Sequence, residues 1–227
     1  MAGLQIVGGG GLGCEVYQYV RSFEPHRQVV FLDDSAEPQA KGDVADAIFR
    51  PIAACDPSMP CLIAVGDPHQ RARLATRLED GGASFALLVH PRAYVAADAR
   101  LSPGCIVAPF AFVSAGATAQ AHALIGPFAC VGHHARVGFC AVLSPYAALA
   151  GRATLEDRGF VGTHAVLTPR SVVGAGATVA AGAVVYNDLP AGVLALGNPA
   201  RWRRPQGAEV DVTGRPKSAS PGAEEGR

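Results

Sequence analysis

The chain has 227 residues, 19 basic side chains against 19 acidic ones, and a composition that is 49% hydrophobic but only 7% aromatic. Zero net charge removes the electrostatic basis for nucleic-acid binding, which needs a concentrated positive surface, and the apolar fraction is too high for a chain disordered throughout. With 27 glycines and 17 prolines, well above the ordinary share of about 12%, the fold must use small side chains and frequent corners.

The first residues carry neither a basic stretch nor an apolar run long enough for a targeting or membrane-spanning segment. A cytoplasmic protein without membrane contact is therefore expected. The six cysteines (Cys14, Cys55, Cys61, Cys105, Cys130 and Cys140) form no CxxC pair, which argues against a zinc site and against a disulfide-built scaffold.

Up to residue 89 strand and helix signals alternate. Leu4–Val7 is a short apolar run that ends in glycines, and Cys14–Phe23 places apolar residues at helical spacing. Val29–Leu32 reads as a second strand closed by Asp33 and Asp34, and Cys61–Val65 as a third. A helix is expected from Pro68 to Glu79, then a last strand at Ser84–Val89. Alternation of this kind implies a parallel sheet with right-handed crossovers, a Rossmann-like βαβ domain over 1–89.

From Val95 the pattern changes. Counted in sixes, all fifteen residues from Val95 to Val179 are aliphatic, and all fifteen from Ala99 to Ala183 are small. A six-residue period held in phase is the signature of a left-handed parallel β-helix: three short strands make one triangular coil of eighteen residues, with the aliphatic inside and the small residue easing the corner. This domain is expected over 90–204, followed by a polar, disordered tail over 205–227.

The glycine run fits G-x-G-x-x-G through Gly8, Gly10 and Gly13, with Asp33 twenty residues beyond Gly13. Glycines there let phosphates approach a helix N-terminus, though the same residues also suit a plain strand–helix turn. A nicotinamide-dependent dehydrogenase would need a second mononucleotide half, and a β-helix stands in its place. A zinc site of three histidines, as in γ-type carbonic anhydrases, would draw on His122, His134 and His164. Modulo eighteen these fall on three different edges.

The succession of these pieces resembles one family. Leu4 to Gly13, Phe31-Leu32-Asp33-Asp34, Ala64-Val65-Gly66-Asp67 with Arg71, Leu88-Val89-His90-Pro91, the hexapeptides, and Gly197-Asn198-Pro199-Ala200 are similar to sugar O-/N-acyltransferases of the sialic acid O-acetyltransferase type, including the bacillosamine-pathway acetyltransferases. The resemblance implies transfer of an acetyl group from acetyl-CoA, a co-substrate and not a resident cofactor, to a hydroxyl or amine of a sugar or nucleotide sugar. It implies a homotrimer with the donor between subunits, and an acceptor site at Gly8, Gly10, Gly11, Gly13, Asp33, Asp34 and Gly66. In that family a His followed by an acid serves as general base. Here the pair is His133 and His134, so the second residue brings no negative charge, and a catalytically weak sugar-nucleotide-binding scaffold is the competing expectation. The donor-contacting positions implied are Val142, Gly151, Thr163 and Ala181, with Arg201, Arg203 and Arg204 either near its phosphates or simply solvated.

Overall fold

The structure, a computed structural model, describes residues 3–35, 37, 38, 40, 44 and 47–204; the expected tail, 205–227, lies outside the described residues. Its first part is a four-stranded parallel sheet. Strands β1 (Leu4–Val7), β2 (Val29–Leu32), β3 (Ile48–Arg50) and β4 (Cys61–Ile63) run in the order β3-β2-β1-β4. Every residue of β1, β2 and β4 is buried, as expected of strands covered on both faces. The one polar residue among them, Gln5, is satisfied: its amide donates to the carbonyls of Asp56 at 2.9 Å and Met59 at 2.7 Å and accepts from Asp56 N–H at 2.8 Å.

Helix α1 (Gly11–Phe23) follows β1, and helix α2 (Pro68–Asp80) follows β4. Asp67 caps α2 by accepting from Gln70 N–H at 2.8 Å, and Pro68 occupies the first turn, where its missing N–H costs nothing. Strand β1 has β2 on one side and β4 on the other, so the strand order reverses there. A crevice beyond the carboxyl ends of such strands is where open α/β sheets bind ligands.

The expected strand at Ser84–Val89 serves two sheets instead. Only Phe85 bridges to Cys61; Leu88–Val89 (β5) pairs with Ile106–Val107 and opens the β-helix. A further strand, β3, lies at the sheet edge, where three residues without alternation carry no sequence signal.

From β5 to Val185 two-residue strands repeat in three parallel walls. The first starts at Leu88–Val89, the second at Tyr94–Val95 and the third at Arg100–Leu101. The last two strands, Leu194–Leu196 and Arg201–Arg203, have three residues each and pair antiparallel to each other. Strand partners lie eighteen residues apart, as Thr118 opposite Arg136 and Leu124 opposite Val142. The aliphatic and small positions of the sequence period form one continuous interior, from Cys105 and Val107 to Ala195. Outward residues of the first wall (Leu88, Ile106, Leu124, Val142 and Phe160) pack in one cluster with Leu4, Ile6, Val16 and Phe31 of the sheet and α1.

Corners alternate with walls, and the fourth residue of each hexapeptide turns the chain. Ten non-glycine residues there have φ between 54° and 65°. Each left-handed residue costs about 1–2 kcal/mol, whereas each buried inward Val, Leu or Ile contributes about 1.5–3 kcal/mol. The corner N–H is also used, as when His134 donates to Ala115 at 2.9 Å and Arg152 to His133 at 2.9 Å. The inward aliphatics outweigh the corner strain.

Candidate active site

The acceptor residues gather at the carboxyl edge of the sheet. Gly8 leaves β1 at φ 107°, and a Cβ on Gly13 would collide with the Gly8 carbonyl, so helix and turn close together only with glycine at both. Gly10 caps α1 without a side chain, and Gly10, Gly11 and Gly66 face open space or solvent. The first N–H groups of α1 have no partner among the described residues and are therefore available to an anion.

Asp33 accepts from Gly9 N–H and, at 2.7 Å, from Ser35 N–H. Asp34 accepts from Ile52 N–H at 2.8 Å and from the Arg77 guanidinium at 2.8 Å. The Arg77 bond, then that of Ile52, holds the Asp34 carboxyl below its ordinary value. A cavity of about 340 Å3 opens here, lined by Asp33, Asp34, Ser35, Pro38, Phe49, Arg50 and Pro51. Phe49 and Arg50 escaped the sequence reading because they belong to the unforeseen strand β3.

His133 and His134 stand side by side on the corner between the second and third walls, both exposed. Their Nδ1 atoms are 3.3 Å apart and their rings cross at 83°. One Nδ1 must donate and the other accept, which fixes opposite tautomers while both rings are neutral. The His134 ring lies over Gly116, one coil below, 2.9 Å from where a Cβ would be. The His133 ring lies over Gly151, one coil above, and a Cβ there would strike its Nε2. Gly151 N–H donates to no group among the described residues. A ring nitrogen thus lies over a glycine whose N–H is unpaired among the described residues, two groups of the kind acyl transfer uses for proton removal and oxyanion support.

Thr163 and Ala181 occupy a different corner, between the first and second walls, and both are exposed. Val142 joins neither column. It precedes the inward Leu143, so its side chain points outward into the cluster shared with the four-stranded sheet, where it is 3% exposed. The sequence reading of Val142 as a donor contact is corrected: the side chain is spent on packing.

The other histidines are apart from this pair. His122 turns a third corner beneath α2, 1% exposed, with Nε2 3.1 Å from Glu79 and ring edges against Phe85 and Phe139. Burial, with Arg71 adding and Glu79 opposing, pushes its pKa below the ordinary value. His164 lies on the corner of Thr163, so the three candidate zinc histidines stand on three corners. His90 faces Ser22 at 3.0 Å and accepts from Arg92 N–H at 3.1 Å. Burial lowers its pKa, so it stays neutral as a tie between α1 and the first coil.

Arg71 has a role the sequence did not show. It is fully buried between α2 and the β-helix, and donates to the carbonyls of His122 at 2.6 Å, Val65 at 3.0 Å and Ile63. Burial lowers its pKa to about 10, still well above neutrality. The guanidinium joins the end of β4 to a corner of the β-helix.

Known proteins share this fold. A family model described as the PglD N-terminal domain matches residues 3–78. A 64-residue stretch is 42% identical to 2,3,4,5-tetrahydropyridine-2,6-dicarboxylate N-acetyltransferase of Staphylococcus aureus, over 28% of this chain and 26% of that protein. The chain thus spans about a quarter of the length of the curated relatives it matches. The acetyltransferase domain of PglB from Neisseria gonorrhoeae, solved in complex with acetyl coenzyme A, superposes with a TM-score of 0.80 at 27% identity, covering 87% of this chain and 97% of that one. A perosamine N-acetyltransferase from Caulobacter crescentus, solved as a variant with CoA and GDP-perosamine, gives a TM-score of 0.71 at 30% identity over 89% of this chain and 97% of that one. With the glycine turn, the sheet and the β-helix all inside that near-complete match, the chain belongs to the hexapeptide-repeat sugar acyltransferase family.

Proposed function

We propose that the protein transfers an acetyl group from acetyl-CoA to an amine or hydroxyl of a nucleotide sugar, by direct attack with His133 as general base. The observation that carries this reading is the His133 ring lying over Gly151, whose N–H is unpaired among the described residues, with the ring's Nδ1 on His134. In the productive tautomer His133 Nδ1–H donates to His134, leaving the Nε2 lone pair for the acceptor proton. As the acceptor attacks the thioester carbonyl, Nε2 takes that proton and Gly151 N–H donates to the developing oxyanion. Collapse expels the CoA thiolate, which recovers the proton. His134 offers the imidazolium a neutral acceptor where a carboxylate would offer charge.

The nucleotide part of the acceptor occupies the crevice at Gly8–Gly13 and the Asp33–Asp34 cavity. Its phosphates lie toward the α1 N-terminus, and the sugar lies near Gly66. The donor-contacting columns, Gly151 on one corner and Thr163 and Ala181 on another, are separated within one chain by the second wall. Three chains packed around a threefold axis would bring one column of each against the other column of its neighbour. Tyr94 and Phe112, 56% and 44% exposed on that wall, supply apolar surface for such packing. No helix among the described residues is long and apolar enough to cross a membrane, which fits a cytoplasmic nucleotide-sugar substrate.

A panel of UDP-, GDP- and CMP-linked amino sugars with acetyl-CoA, followed by release of free thiol, tests this reading. Turnover on at least one is expected. Binding of a nucleotide sugar without thiol release from any would favour the non-catalytic scaffold.

A further inference from the structure

The corner of Thr163 carries a column of stacked rings. Phe110, Phe128, Tyr146 and His164 follow at eighteen-residue steps, with successive centroids 4.8 Å apart and interplanar angles of 14°, 1° and 12°. Arg92 closes one end, its guanidinium 5.8 Å from the Phe110 centroid. The other end is open: the next residue in the column is Gly182, and nothing lies within 4 Å of where its Cβ would be. One face of the His164 imidazole therefore lacks the partner that every ring below it has.

The backbone changes at the same level. Residues preceding the lower rings are Pro109, Pro127 and Pro145, which have no N–H to offer. At the open end they give way to Thr163 and Ala181, whose N–H groups donate to nothing among the described residues. A planar surface at stacking height and two unused donors thus occur together, only where the ring column stops. This combination fits a flat heteroaromatic group with ring-nitrogen acceptors.

Resting on the reading above, we infer that His164 stacks on the adenine of the acetyl-CoA donor, with Gly182 leaving the space and Thr163 and Ala181 N–H groups facing the base edge. Adenine is the one aromatic group of that donor. Stacking of a base on an aromatic side chain contributes about a factor of ten or more to affinity. Gly182 also provides a discriminating substitution. Its φ of 70° lies close to the 57–62° that aromatic residues and histidines already adopt at this turn, so phenylalanine at 182 extends the column at the same left-handed backbone cost those residues bear while occupying the base position.

The test compares CoA with 4′-phosphopantetheine, which lacks the adenosine part, by calorimetry on the full chain. His164→Ala and Gly182→Phe should each weaken CoA binding about tenfold and leave 4′-phosphopantetheine unchanged, and His164→Phe should bind CoA like the parent. Adenosine 3′,5′-bisphosphate should shift the ring proton resonances of His164. An unchanged CoA affinity in both weakening variants, or equal losses for both ligands, would overturn the assignment. So would an unperturbed His164 ring. Failure of the acyl-transfer reading is separable, because it would appear as absent thiol release in the unmodified protein whatever His164 does.

Discussion

His134 and His122 hold the same place in the repeat, twelve residues apart, with φ of 57° and 60°. The backbone treats them alike. On the corner between the second and third walls nothing from the four-stranded sheet covers the chain among the described residues, so His134 stays exposed, its ring over Gly116 and against its neighbour His133. On the corner under α2, His122 is closed in by Phe85, Phe139 and Glu79, and its carbonyl accepts from Arg71. A periodic fold decides where a side chain stands; the non-periodic part laid against it decides whether that side chain is a reagent or a piece of core.

Substitutions on the two corners should separate these roles. The largest effect is expected from His133→Ala, which should lower turnover about 10²- to 10⁴-fold, the usual contribution of a positioned base. As an exposed change it should move stability by no more than about 0.5 kcal/mol, so unfolding midpoints and steady-state rates read the contrast together. A turnover loss under tenfold would remove His133 from the mechanism.

Arg71→Ala should do the reverse on the other corner. Three carbonyls, two of them buried, lose a charged donor, and a loss of about 3–5 kcal/mol in denaturant unfolding is expected. Arg71→Met, which refills the volume, should recover part of it. A loss below 1 kcal/mol would mean that the two halves are held by their apolar cluster alone.

A smaller gain is expected at His134. Replacing it with Glu supplies the charge that the imidazolium lacks and should raise turnover roughly tenfold, with the acid limb of the pH–rate profile moved upward. A fall in rate would show that the neutral His134 ring has its own part in orienting His133.

The mildest contrast is in pH dependence. His122 binds a proton less readily folded than unfolded, where it titrates near 6.5. Its contribution to stability is therefore complete above about pH 6.5 and is lost as pH falls from there through its lower folded value. Glu79 and Arg71 are the charged groups facing it, and His90 adds a slope of the same sign. His122→Phe should lose less stability than the parent between pH 7.5 and pH 5.5 in thermal unfolding; identical losses would clear His122 of any share.

Much of the β-helix could be read from residues alone, because Val95, Leu101 and their successors mark the interior one by one and the period admits no other phase. The His133–His134 corner followed from counting. What counting could not supply was contact between segments far apart in sequence. Arg71 reads as an ordinary polar helix residue until its helix meets the corner of His122, 51 positions away. Val142 looked available until the sheet covered its wall. Ser84–Val89 carried a correct strand signal that did not say which sheet would claim it, and β3 was too short and too exposed, with Ile48 at 43%, to show alternation.

The eighteen-residue register has a consequence for how this molecule can change length. A single inserted residue within a wall would turn every later aliphatic away from the interior and break every later strand pairing. Length within the β-helix is quantised: it can change by a whole coil, or by a loop extruded at a corner that returns the chain to phase. Deleting one coil below His133 would keep the Gly151 pairing intact but shorten the run of rings beneath His164. Lengthening a corner loop would leave both columns in register and alter only what surrounds them. Variation that preserves the chemistry is therefore confined to the corners, the same places where the chemistry stands.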